Sequence, residues 1–185
     1  VFIDLQKAFD TVDHSILLSK LEYYGVRGAA LKWFKSYLEN RKQFVSVEGI
    51  HSTTKLVSTG VPQGSILGPL LFIIYINDLQ NAIKDSNTFH FADDTNLQLI
   101  SNSLNKLNKY INHDIENLVQ WLCANKISLI ADKMVLVLFK SSSTKFQKQN
   151  NLNLPKNLNF RISGQKLIPS SAIKYLGVYI DENIS

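Results

Sequence analysis

At 185 residues, 45% of them hydrophobic, the chain is large and apolar enough to bury the core of one globular domain. Twenty Lys and Arg against fifteen Asp and Glu leave a net charge of +5 and a pI near 9.2, which suits a polyanionic partner and equally a soluble, lysine-rich surface. The single Cys123 excludes an intrachain disulfide and any zinc centre built on several cysteines, and the four histidines form no ligand-spaced cluster. The longest apolar run, LLFIIYI at 70–76, is far short of the roughly 18 residues that would suggest a membrane span.

Cysteine usage fits a reducing, intracellular compartment. Val1 is not an initiator methionine and the only methionine is Met134, so the sequence reads as a piece of a longer protein with no signal peptide. In chain order, VFIDL (1–5) is a short strand-like run. Asp13 is placed to cap a helix, HSILLSKLEYYG, that stops at Gly25. A second helix over 28–41 carries Leu31, Phe34 and Leu38 on one side and turns Lys32 and Lys35 elsewhere. KQFVSVEG and TKLVSTG alternate like the two strands of a hairpin.

A glycine-punctuated loop, GVPQGSILGP (60–69), then leads into a buried helix over 70–83 that leaves Asn77 and Asp78 facing solvent. TFHFADDTNLQLI reads as a hairpin. Leu104, Leu107, Ile111, Ile115, Leu118 and Leu122 mark one face of a long amphipathic helix. MVLVLFK (134–140) is a strand, 141–157 an exposed polar loop, and IKYLGVYID (173–181) a closing strand pair. Strands and helices are mixed without regular alternation, which predicts an α+β layer rather than a doubly wound sheet.

The aspartates at 93 and 94 have two readings. Asp is an ordinary turn residue, and paired carboxylates are hard ligands for Mg²⁺, which binds through one or two carboxylates together with substrate phosphates. Asp4, also at a strand end, is a candidate third carboxylate. Convergence of the three would repel and raise their pKa values unless a cation neutralised them. If Asp93 and Asp94 both lay on one extended strand, their side chains would point in opposite directions.

FIDLQKAFDTVDH, GVPQGSILGPLLFIIYINDL, FADDT, NKISLIADKMVLVLF and IKYLGVYID follow one another in the order of the palm motifs of reverse transcriptases. The sequence most resembles the enzymes of non-long-terminal-repeat (LINE-type, jockey-like) retrotransposons. The resemblance spans almost the whole chain. It implies an α+β palm over 1–185, an antiparallel sheet packed on helices with a small part of the fingers, while most of the fingers and the thumb lie outside. It also implies an RNA-directed DNA polymerase that takes an RNA template, a DNA primer and dNTPs, acts in nucleus and cytoplasm, and has no membrane partner. The resemblance leaves the oligomeric state open.

Carried over by position, Asp4, Asp93 and Asp94 match the ligands of two Mg²⁺ ions, with Mn²⁺ as a substitute, and Leu5 would contribute its backbone carbonyl. Phe9 matches the steric gate against a ribose 2′-hydroxyl, and on its own reads equally as a core aromatic. Gln63 and Gly64 match the loop beneath the incoming nucleotide, which is otherwise a turn ahead of a helix. Lys133 matches a general acid near the pyrophosphate, although Ile130 and Met134 stand where the family has asparagine and threonine; a solvated lysine is the plain alternative. Tyr175, Leu176 and Gly177 match the primer grip, or are a packed closing strand. Two non-catalytic readings accompany the polymerase: a decayed element copy, and a host-adopted RNA-binding domain.

Overall fold

The computed structural model describes residues 1–130, 133–139, 159–162 and 164–183. The expected loop at 141–157 lies outside the described residues. In chain order the elements are β1 (Phe2–Ile3), α1 (His14–Tyr23), α2 (Gly28–Leu38), β2 (Lys42–Gln43), β3 (Ser46–Val47), β4 (Ile50–His51), β5 (Lys55–Leu56), α3 (Leu67–Ile76) and α4 (Leu79–Ala82). They continue with β6 (Asn87–Phe91), β7 (Asp94–Gln98), α5 (Leu104–Ala124), β8 (Leu136–Val137), β9 (Phe160–Ile162), β10 (Gln165–Leu167), β11 (Pro169–Ser170), β12 (Ala172–Tyr175) and β13 (Val178–Asp181). The mixed α and β composition matches the expected class. Among the described residues no helix is long and apolar enough to cross a membrane.

The chain forms two compact units, the first comprising Val1–Asp4, Gln80–Gln120 and Leu129–Ser185, the second Leu5–Leu79 and Trp121–Ser128. In the first, a three-stranded antiparallel sheet has the order β1-β7-β6. Residues of β7 alternate in and out: Thr95 and Leu97 are buried, Asp94 and Gln98 exposed. This period-two pattern leaves the Asp94 face of the strand open. Val135 bridges Phe2 on the far side of β1, and β8 pairs in parallel with β11. The buried face of α5, with Ile111, Ile115 and Leu118 at 0–2% exposure, supplies the apolar stripe read from the sequence. Among the described residues of the expected strand at 134–140, the ladder covers Leu136–Val137, with Val135 in the isolated bridge to Phe2.

In the second unit Asp13 caps α1 by accepting from the backbone N–H groups of Ser15 and Ile16. Lys126 pairs with the same carboxylate at 2.7 Å, and these donors hold its pKa well below the usual carboxylate range, the Lys126 bond being the largest cause. Gly25, at φ +95°, ends the helix as the sequence predicts.

Three expectations need correction here. The alternating run after α2 is a nested hairpin: β2 pairs β5 and β3 pairs β4. Its turn therefore falls at Glu48–Gly49, both with positive φ, inside what read as the first strand. The next helix begins at Leu67 rather than at residue 70, since Ser65 Oγ accepts from Gly68 N at 2.9 Å, and Pro69 in the first turn removes an N–H that would have no helical partner anyway. That helix also breaks after Ile76. Asp78 does not simply face solvent: it pairs at 2.6 Å with Lys20, whose side chain is 12% exposed. Asn77 is exposed and donates to the Tyr24 hydroxyl.

Tyr75 ties this unit together. Its hydroxyl donates to Asn125 O at 2.6 Å and accepts from Asp13 N, and burial pushes its pKa up to about 12.

Candidate functional site

Antiparallel pairing decides where the carboxylates of the first unit stand. Phe2 is opposite Asn96 and Ile3 opposite Thr95; Asp4 and Asp94 are the next residues beyond that last pair, and continuing the register by one step would set them opposite each other. Directly opposed residues share a face, with Cβ atoms about 4.5–5.5 Å apart. Asp93 is not on the strand: β6 and β7 join Phe91 to Asp94, leaving Ala92 and Asp93 as a two-residue loop with Ala92 at φ +53°. The anticipated divergence of Asp93 and Asp94 along one strand therefore does not arise. Partial desolvation, then the charges of Asp93 and Asp4, raise the pKa of Asp94 from its ordinary value. Lys133 Nζ lies 3.1 Å from Asp4 Oδ2, with both side chains well exposed.

Asp4 has Lys133 beside it, and Asp93 and Asp94 follow one another at the β6–β7 turn, so negative charge exceeds positive at this solvent-facing strand end. Its donors are all carboxylate oxygens, the set that suits a hard divalent cation. Among the described residues, however, the group whose ligand atoms converge to within 4.8 Å of one another is Asp85, His113 and Asp114, not these three carboxylates.

The same face continues to the closing hairpin. Asn96 Nδ2 donates to the Tyr175 hydroxyl at 3.0 Å, and the Tyr175 ring lies 5.1 Å from that of Phe2. Leu176 and Gly177 form the β12–β13 turn, with φ of +48° and +85°. A largely apolar cavity of about 600 Å³ opens beside Phe2, Phe89, Leu136, Tyr175 and Ile180, and none of the three carboxylates lines it.

Leu5, Phe9, Gln63 and Gly64 belong to the second unit. Leu5 is buried, which leaves only its backbone for any polar role. Phe9 is half-buried and stacks on Phe72 with ring centroids 4.6 Å apart, so its plane is fixed from one side. Two backbone bonds, Gly60 N to Val12 O at 2.7 Å and Val61 N to Phe9 O at 2.8 Å, join the 60–64 loop to the turn that carries Phe9. Gly60 has φ +87°, and a Cβ there would sit 2.8 Å from Asp10 O; only glycine permits this approach. Gly64, also at positive φ, has open space around it.

Two groupings were not anticipated from sequence. Asp10 accepts from Gln63 Nε2 at 2.8 Å; it stands within the FIDLQKAFD run, but its partner is 53 residues away. Asp85, His113 and Asp114 bring ligand atoms within 4.8 Å of one another. Asp114 is occupied by the N–H groups of Lys84 and Asp85, and His113 Nδ1 by Asp85 at 2.9 Å, which is a sufficient structural role for that trio.

Residues 1–180 match the family model described as "Reverse transcriptase (RNA-dependent DNA polymerase)". Across its whole length the chain is 31% identical to the "RNA-directed DNA polymerase from mobile element jockey" of Drosophila funebris and 28% identical to the protein of that name in Drosophila melanogaster. It is also 30% identical to the "Probable RNA-directed DNA polymerase from transposon BS" of Drosophila melanogaster. In each case the match covers all of this chain and 20% of the relative. The chain thus spans about a fifth of the length of these relatives.

Proposed function

The chain belongs to the reverse transcriptase family, and from that premise we propose that it is the polymerase palm of a jockey-like retrotransposon protein, copying an RNA template from a DNA primer with dNTPs. The observation that carries this reading is the register of β1 on β7, whose last pair, Ile3 with Thr95, is followed directly by Asp4 and Asp94, with Asp93 in the adjoining turn and the pKa of Asp94 raised in part by the charges of Asp93 and Asp4. A turn accounts for Asp93 and Lys133 offsets Asp4, but the remaining negative charge at this strand end suits a divalent cation.

Asp4, Asp93 and Asp94 would hold two Mg²⁺ ions, which when bound supply activation of the primer 3′-hydroxyl and neutralisation of the triphosphate. Phosphoryl transfer depends mainly on positioning and charge stabilisation, so this chain needs no Ser or Cys nucleophile. Lys133 brings an exposed ammonium to Asp4, where it can also meet the leaving pyrophosphate. Phe9, held against Phe72, is the candidate ring that fills the space of a ribose 2′-hydroxyl. Gln63 and Gly64 offer an amide and an open backbone to the nucleotide. The Tyr175–Gly177 turn, anchored through Asn96 and Phe2, is the candidate primer rest.

The test is primer extension by the protein that carries this chain. Asp93→Asn should abolish Mg²⁺-dependent incorporation while leaving the fold intact. Incorporation surviving at the wild-type rate would remove Asp93 from the site.

A further inference from the structure

Asp10 is an exposed carboxylate whose backbone is unusually well fixed. Its N–H donates to Lys7 O at 2.8 Å, and the flanking Phe9 and Val12 carbonyls accept from Val61 and Gly60. Gly60 packs so closely on the Asp10 backbone that no Cβ fits between them. From this base the side chain reaches Gln63 Nε2 at 2.8 Å.

The chemistry of that bond fixes more than a distance. An ionised carboxylate can only accept, and a glutamine amide has one donating end and one accepting end. Asp10 therefore selects one of the two flips of the amide, engaging an Nε2–H and leaving Oε1 free. We infer that Asp10 is a positioning residue that orients the Gln63 amide so that its carbonyl oxygen faces outward, to accept from a donor group on the bound nucleotide. The inference rests on the polymerase reading for the identity of the ligand, but the orientation itself follows from the chain alone. Because Phe9 and Asp10 are neighbours on one turn, that turn would place both the ring beside the sugar and the amide above it.

Two measurements separate the geometry from the function. In the chain labelled with ¹⁵N-glutamine, the Gln63 side-chain amide signals, assigned by their loss in Gln63→Ala, should move toward random-coil positions in Asp10→Ala and stay near the wild-type positions in Asp10→Asn, whose Oδ1 still accepts. In primer extension by the protein that carries the chain, Asp10→Ala should raise the nucleotide KM about tenfold with kcat within about twofold, the pattern of lost binding rather than lost chemistry. Asp10→Asn should restore most of the KM. Gln63→Glu, which sets two carboxylates against each other, should be rescued by Asp10→Asn in the double variant.

Amide signals indifferent to Asp10→Ala would overturn the orientation. An unchanged KM in Asp10→Ala, or equal losses in kcat and KM together with a lowered melting temperature, would overturn the positioning role. A wild-type protein without metal-dependent extension, whose Gln63 signals still respond to Asp10→Ala, would instead refute the polymerase reading and with it the nucleotide as ligand.

Discussion

Replacing Asp94 by asparagine should stabilise the metal-free chain. Opposed Cβ atoms at about 5 Å give two unit charges a repulsion of roughly 0.8 kcal/mol in water and about 3 kcal/mol at an effective dielectric of 20. Asp94 is exposed and the Asp4 side chain is 42% exposed with Lys133 beside it, so the water-like end applies, and about 1 kcal/mol is expected. For a chain of this length that is a rise of about 2–4 °C in Tm. The pH dependence has a definite sign. Folding raises the pKa of Asp94, which favours its acid form in the folded state. That contribution is present below the unfolded pKa, near 4, and is lost as pH rises through the folded value. The advantage of Asp94→Asn should therefore be full at pH 7 and fade toward pH 4. Urea denaturation in EDTA at both pH values measures this, and adding Mg²⁺ should stabilise wild type more than the variant. A variant no more stable than wild type at pH 7, or equal stabilisation of both by Mg²⁺, would refute the shared carboxylate site.

Removing the α1 cap with Asp13→Ala should cost about 1–2 kcal/mol in urea denaturation at pH 7. Since the folded pKa of Asp13 is depressed, its contribution is present above the unfolded pKa and fades as pH falls below about 4, so wild type and variant should converge in acid. Asp78→Asn leaves the mostly buried Lys20 with Tyr75 O and the faces of Tyr75 and Trp121 as partners; a loss of about 1–3 kcal/mol is expected from the same assay. Leu176→Gly should stabilise the closing hairpin by about 0.5–1 kcal/mol, because leucine at φ +48° is strained where glycine is not, and a lower denaturation midpoint would count against that turn geometry.

Local features were the legible ones. Asp13 as a cap, Gly25 as a stop, the α5 stripe and the Asp93 turn each depend on residues within a few positions, and sequence spacing reports them directly. Pairing across distance was not legible. Nothing in VFIDL fixes its register against residues 94–96, although that register sets Asp4 and Asp94 at one end of the pairing. Alternation through KQFVSVEG continues across Glu48–Gly49, so the turn was hidden inside a strand-like pattern. The partners of Asp10 and Asp78 are more than fifty residues from each of them, and no periodicity connects such pairs. The family motifs align the carboxylates by position; the ladder itself ends at Ile3 and Thr95, one residue short of Asp4 and Asp94.

The close approach of Gly60 to Asp10 bears on how any copy of this sequence should be judged fit or dead. Every substitution at Gly60 adds a Cβ, and each would push on the backbone of the turn bearing Phe9 and Asp10. Such a change touches no carboxylate. A copy can thus keep Asp4, Asp93 and Asp94 unaltered and still have this turn displaced by a single added methyl group, so a census of its acidic residues is blind to that damage.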